Sequence, residues 1–222
     1  MTKIIADISG NHGGSRHKAL DLICAAADCG CDYAKFQYYK PSKMPDYAEN
    51  AKTYDKLQVP AIWVDDLFAT AAHARIPLFA SVFDMVGAKF IQQYNPPFVK
   101  IASPESTRLQ NYPELVGEVR RGMRIIFSSG WKDYKLIAPL MGEDDLLLYC
   151  PPCHPALPNV WVPPEFDGLS DHCADLTNAA RAIEDGFEWI ERHIKLDEDC
   201  IDARFSSNPR EMTELCKLAK AS

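Results

Sequence analysis

Short β-like runs alternate with amphipathic helical runs from one end of this 222-residue chain to the other. The strand-like runs are KIIADIS, YAKFQ, PLFAS, FVKIAS, RIIFSS, LLLYC, FDGLS and WIERH. Between most of them lie helical stretches: HKALDLICAAADCG, AIWVDDLFATAAHA, MVGAKFIQQY, YPELVGEVRR, YKLIAPLM and LTNAARAIEDG, with NPREMTELCKLAKA closing the chain. Such alternation predicts a parallel sheet with helices packed outside it. Eight repeats in this length fit a compact α/β fold, a (β/α)8 TIM barrel near its lower size limit. A doubly wound open sheet is the alternative, but it ordinarily has fewer strands. One repeat is irregular. PPCHPALPNVWVPPE, between strands six and seven, is too proline-rich for a helix, so the sixth helix is expected to be reduced or missing. A polar loop of about Tyr38 to Pro60 follows strand two, and no linker divides the chain, which predicts one domain over residues 1–222.

Composition narrows the function classes. A net charge of −7 argues against nucleic acid or other polyanions as partners, so an anionic ligand must be held by a few local cations. MTKIIADISGNHGG is charged too early for a signal peptide, and no apolar run reaches membrane length. A cytoplasmic protein with no membrane partner is expected, its 8 cysteines reduced. CPPCH (Cys150 to His154) matches both the c-type haem spacing and a C-x-x-C redox or metal pair. Haem attachment requires export, and a strand end followed by a proline-stiffened loop is the preferred reading.

In a TIM barrel the active site lies at the C-terminal ends of the strands. Polar residues gather there: Asp7, Asn11 and His12 after strand one, Lys35 and Gln37 on strand two, and Ser81 and Asp84 at strand three. Lys100, Ser103 and Glu105 follow on strand four, and Ser128 and Ser129 on strand five. Ser170, Asp171 and His172 end strand seven; Glu191 and His193 lie two apart on strand eight and share a face. Three chemistries emerge. His172 and His193, at matching heights on adjacent strands, suit a divalent transition metal with open positions. Lys35, Lys100, Ser103, Ser128 and Ser170 supply the point charges and short donors that a phosphorylated or carboxylated ligand needs. Asp7, Glu105, Glu191 and Asp202 offer carboxylates to move protons or hold sugar hydroxyls.

IIADISGNHGG, AKFQ, LFASVFD, VKIASPE, IIFSSG, LSDH and IERHIKLD, taken in order, resemble the successive strand motifs of the N-acetylneuraminate (sialic acid) synthase family. The resemblance runs from about Lys3 to Asp202 and implies a metal-dependent barrel. Its members condense phosphoenolpyruvate with an N-acetylated sugar aldehyde to a 2-keto-3-deoxy sugar acid and release phosphate. It implies His172 and His193 as ligands of a divalent metal, Mn²⁺ above Mg²⁺ or Co²⁺. Lys100, Ser103, Ser128 and Ser170 then cradle the phosphate of phosphoenolpyruvate, and Lys35, Gln37 and Ser81 contact either substrate. Glu191 and Asp202 hold sugar hydroxyls, Glu105 carries a proton, and Asp7 stands where the family has a catalytic Glu. Both partners are small molecules, with a homodimer as the candidate assembly.

The departures from the family pattern fall on the acceptor side. Pro152 and His154 replace an Asn and a Tyr, Ala203 replaces a His, and Lys195 replaces a small polar residue. The sequence ends at Ser222, where members continue into an antifreeze-like domain, so a barrel-only member is expected. Two rivals stay open: a class I aldolase using Lys100 as Schiff-base nucleophile, and a degenerate barrel that binds a sugar or phosphorylated ligand without turnover.

Overall fold

Hydrophobic alternation along the strands closes the sheet. In a computed structural model, which describes residues 1–44, 46–103, 113–120, 122–130 and 134–222, the strands are β1 (Lys3–Asp7), β2 (Tyr33–Tyr38), β3 (Leu78–Val82), β4 (Phe98–Ile101), β5 (Arg124–Ser129), β6 (Leu146–Tyr149), β7 (Gly168–Asp171) and β8 (Trp189–Ile194). Each pairs in parallel with the next, and β1 pairs with β8, making a closed (β/α)8 barrel. The helices are α1 (Arg16–Asp28), α2 (Tyr47–Leu57), α3 (Ala61–Ala74), α4 (Met85–Gln92), α5 (Pro113–Val119), α6 (Tyr134–Ile137), α7 (Thr177–Glu184) and α8 (Pro209–Ala221).

Every strand sends alternate residues to opposite faces. Outward residues such as Ile4, Ala6, Phe36, Val99, Ile125, Phe127 and Ile190 bury against the helices. Inward, Ile5, Phe79, Phe98, Ile126, Leu148 and Trp189 form a separate apolar cluster that floors the barrel. Strand seven has only Gly168 at that level. A Cβ there would lie 1.8 Å from the carbonyl oxygen of Trp189, so only glycine lets β7 and β8 approach beside that indole.

No helix joins β6 to β7; residues 150–167 run as turns and extended chain, as the prolines require. Two features depart from the sequence expectation. The polar segment after β2 contains α2, which buries none of its residues and is bent at Asn50, so no apolar stripe announces it. A two-residue strand, β9 (Ser206–Ser207), pairs with β8 and folds the preceding loop back across the barrel mouth. Lys195 anchors that loop through Glu198 (2.8 Å) and the Ala203 carbonyl (2.9 Å). The chain then enters α8 through a capping box, in which Asn208 accepts from the Glu211 amide and Glu211 accepts from the Asn208 amide.

Candidate active site

Two residues above the apolar floor, each strand presents one further inward side chain: Asp7, Lys35, Ser81, Lys100, Ser128, Cys150, Ser170 and Glu191. This ring is the bottom of a cavity of about 730 Å³, and a second step upward adds Ser9, Gln37, His172 and His193. Tyr54 and Leu57 of α2, with Asp202 and Phe205 of the β8–β9 loop, complete the wall. Of the thirteen residues proposed from sequence, all but Glu105 line this one cavity; Glu105 lies outside the described residues.

The ring is a buried ionic network. Lys35 donates to Asp7 (2.6 Å) and to the Ser81 hydroxyl (2.9 Å), and stands 3.8 Å from Glu191. Lys100 is ion-paired with Glu191 and lies 3.4 Å from the Ser170 hydroxyl, which itself donates to Glu191 at 2.9 Å. Two ammoniums face two carboxylates, so the lysines do not stand free for an anion. Burial works against the Lys35 charge, but Asp7 and Glu191 outweigh it and hold its pKa above the usual value. Lys100 is lowered, by burial first, because Glu191 only partly compensates and Lys35 repels it. Glu191 also resists burial, yet Lys100 and Lys35 hold it well below the ordinary carboxylate range. Buried ions persist only when paired in this way. Among the described residues, the Ser128 hydroxyl and one Glu191 oxygen are buried without a hydrogen-bond partner, which is the condition of groups prepared for a ligand.

Higher up, the two expected metal ligands differ. The His172 ring centroid is 5.0 Å from that of His193. His172 Nδ1 lies 3.0 Å from the Ser170 carbonyl; a carbonyl only accepts, so Nδ1 carries the proton and Nε2 presents its lone pair. Burial, then His193 and His154, hold its pKa well below that of a free imidazole. His193 instead faces a carboxylate at each nitrogen, Asp202 at 3.1 Å from Nδ1 and Asp7 at 3.5 Å from Nε2. Burial opposes its charge, but Asp7 and Asp202 prevail and raise its pKa. Among the described residues, the group whose donor atoms converge within 4.8 Å of one another is Cys150, His154 and His172. This group could hold a metal: it offers two imidazoles and a thiol, and the Ser170 carbonyl orients the His172 ring as an outer-shell acceptor would.

Cys150 and His154 were weighed from sequence only within CPPCH, read there as a strand end and proline-stiffened loop, and not as cavity residues, although LLLYC carries the signal. Leu148 belongs to the floor, so the next inward position is Cys150. Other polar residues at strand ends turn away from the cavity. His12 packs edge-on against Trp63, with burial lowering its pKa to about 4. Asn11 holds Ile194, Ser206 and the Asp202 amide. Asp84 caps α4 through the Gly87 amide, Ser129 bonds the Gly130 carbonyl, and Asp171 pairs with Arg192 at 2.7 Å behind the sheet.

The model of the NeuB family matches residues 22–141 and 163–222, most of the chain. The chain belongs to the NeuB family. As a NeuB-family barrel it is 28% identical to human N-acetylneuraminate-9-phosphate synthase, over 96% of this chain and 68% of that protein. It is 27% identical to a pseudaminic acid synthase of Campylobacter jejuni, over 91% of this chain and 68% of the relative. Among solved structures, the spore coat polysaccharide biosynthesis protein SpsE of Bacillus subtilis superposes with a TM-score of 0.81 at 26% identity, covering 99% of this chain and 67% of that one. A sialic acid synthetase from Leptospira borgpetersenii shares the fold with a TM-score of 0.86 at 24% identity, covering 99% of this chain and 83% of that one. No helix of this NeuB-family chain, among the described residues, is long and apolar enough to cross a membrane.

Proposed function

We propose that this NeuB-family barrel condenses phosphoenolpyruvate with a sugar aldehyde, N-acetylated by preference, giving a 2-keto-3-deoxy sugar acid and phosphate. The observation that carries the reading is the eight-membered ring above the barrel floor. It combines two buried lysines with a buried serine hydroxyl, Ser128, that has no hydrogen-bond partner among the described residues. An acid bearing phosphate and carboxylate needs this mixture of point charges and short donors.

Phosphoenolpyruvate enters by displacing the Glu191 carboxylate from Lys100, exchanging one buried ion pair for another. Ser128, Ser170 and Ser103 donate to its phosphate, while Lys35, Gln37 and Ser81 orient the enol end. The released Glu191 and Asp202 hold hydroxyls of the aldehyde substrate. A divalent ion at His172, manganese by family resemblance with magnesium or cobalt as substitutes, supplies Lewis-acid polarisation of the aldehyde carbonyl when bound. His172 is common to the pair inferred from sequence and to the converging group with Cys150 and His154. C3 of phosphoenolpyruvate bonds to the aldehyde carbon, and the carbonyl oxygen takes a proton, which His193 holds between Asp7 and Asp202. Water then adds at C2, losing one proton toward Asp7; as the C2–O bond to phosphate breaks, the new C2 hydroxyl gives its remaining proton to the departing phosphate and the ketone forms. Glu105 joins as a second proton carrier on resemblance alone.

Phosphate release from phosphoenolpyruvate is measured against a panel of N-acetylated aldoses, with manganese and after chelation. Metal-dependent release with at least one acceptor is expected. No release with any acceptor, while phosphoenolpyruvate still raises the melting temperature, would leave a binding barrel and refute turnover. One observation favours a second reading: the lowered pKa of Lys100 suits a Schiff-base amine. Borohydride trapping of pyruvate on Lys100 decides it, since the condensation forms no imine.

A further inference from the structure

Most of the segment between β6 and β7 falls in an internal break of the family match. The family match breaks between residues 141 and 163, and within that break lie Cys150 and His154. Cys150 occupies the inward slot of strand six and is buried. Its sulfur is 3.9 Å from His154 Nε2. The His154 ring stacks on that of His172 at 4.0 Å between centroids. The loop that carries His154 is tied to strand seven. The Ala156 amide donates to the His172 carbonyl at 2.8 Å, and Asn178 bonds both Leu157 and Val160. Phe205 lies beside both imidazoles, with centroids 5.7 and 5.4 Å away, while His154 itself is exposed. The loop thus places His154 over His172 through backbone bonds, independent of any ion.

We propose that Cys150, His154 and His172 form a three-donor site for a thiophilic divalent transition ion, of the Zn²⁺ or Co²⁺ type, with its fourth position open to the cavity. A tetrahedral ion sets nitrogen and sulfur donors about 3.3–3.7 Å apart. The 3.9 Å sulfur-to-nitrogen distance is therefore near closure, and the stacked rings need only fan open from their 25° interplanar angle. Three protein ligands with one open position is the arrangement of a catalytic ion. A thiolate among the donors favours Zn²⁺ or Co²⁺ over the manganese named by resemblance, so cobalt, named above as a substitute, is the ion common to both readings. His193 stays outside the set, both its nitrogens turned to carboxylates. Exposed Cys153 stays outside it too, so the working motif in CPPCH is the cysteine and the histidine four residues on.

The inference rests on the metal-using reading above, but its test needs no turnover. Metal-stripped full-length protein is titrated with Co²⁺ and followed by absorption. A thiolate-to-cobalt charge-transfer band saturating at one equivalent is expected, with Zn²⁺ abolishing it by competition. The band persists in Cys153→Ser and His193→Gln, disappears in Cys150→Ser, and needs more than about 100-fold higher cobalt in His154→Phe, since even outer-shell partners cost 10–100-fold. Absence of the band in the unmodified protein, a result that no misfolded variant can produce, would overturn the proposal. So would cobalt binding that survives Cys150→Ser at unchanged affinity but is lost in His193→Gln. A cobalt band without phosphate release keeps this site and removes the condensation; manganese-dependent release without the band does the reverse.

Discussion

Replacing Glu191 by Gln tests whether the ring is the ionic network described. The carboxylate is 2% exposed and faces Lys100, Lys35 and the Ser170 hydroxyl. The amide keeps the shape and one acceptor but removes a charge, leaving two buried ammoniums with Asp7 alone. Breaking a buried pair from one side costs about 3–5 kcal/mol. At about 2–4 °C per kcal/mol for a chain of this size, the melting temperature at pH 7 falls by about 6–20 °C. Phosphoenolpyruvate no longer has to displace a carboxylate from Lys100, so its addition raises the variant's melting temperature by more than it raises the parent's. The sign with pH is fixed as well. Glu191 has a depressed pKa in the folded protein, so its contribution is present above the unfolded value of about 4.3 and is lost as pH falls through the folded one. The parent's stability therefore drops more steeply in acid than the variant's. Scanning fluorimetry across pH, with and without phosphoenolpyruvate, reads all three effects. A variant that melts within about 2 °C of the parent, or that gains less from phosphoenolpyruvate, would refute the network.

Two smaller perturbations address the floor and the rim. Gly168→Ala drives a Cβ into the Trp189 backbone, so it costs more than the about 1–3 kcal/mol of ordinary overpacking, measured as lost yield and a lowered denaturation midpoint. Asp202→Asn removes one of the two carboxylates that raise His193. In metal-free protein the imidazole then titrates at lower pH by NMR, and because a raised imidazole stabilises the fold only below its folded pKa, the parent's advantage over the variant shrinks as pH rises. An unmoved titration would place Asp202 away from His193.

The barrel was legible because its code is periodic. Each of β1 to β8 coincides with a run read from sequence, and the missing sixth helix follows from prolines alone. The site was legible for the same reason. An inward position two residues beyond an apolar floor residue lies at the cavity, as Ile5 to Asp7, Phe98 to Lys100, Ile126 to Ser128 and Trp189 to Glu191 illustrate. What escaped lacks that periodicity. Helix α2 has no buried face to betray it, and β9 is two residues long. Sequence also gave no way to know that Lys35 and Lys100 are neutralised, because ion pairing joins strands whose order around the barrel must first be closed.

The convergence of Cys150 and His154 with His172 escaped for a different reason. CPPCH was read along the chain, where prolines mark a loop, and a C-x-x-C pair draws the eye to Cys153. The barrel reads it across the chain: the Leu148 inward step carries Cys150 into the ring, and the strand-seven end brings His172 under His154. In the family resemblance a Tyr stands at the His154 position and a His at Ala203. This chain thus lacks an imidazole on the last loop and has one beside the sixth strand, stacked on His172. Under the proposed condensation, an aldehyde approaching His172 meets residues of the β6–β7 segment as well as the loop that carries Asp202, since both line the cavity.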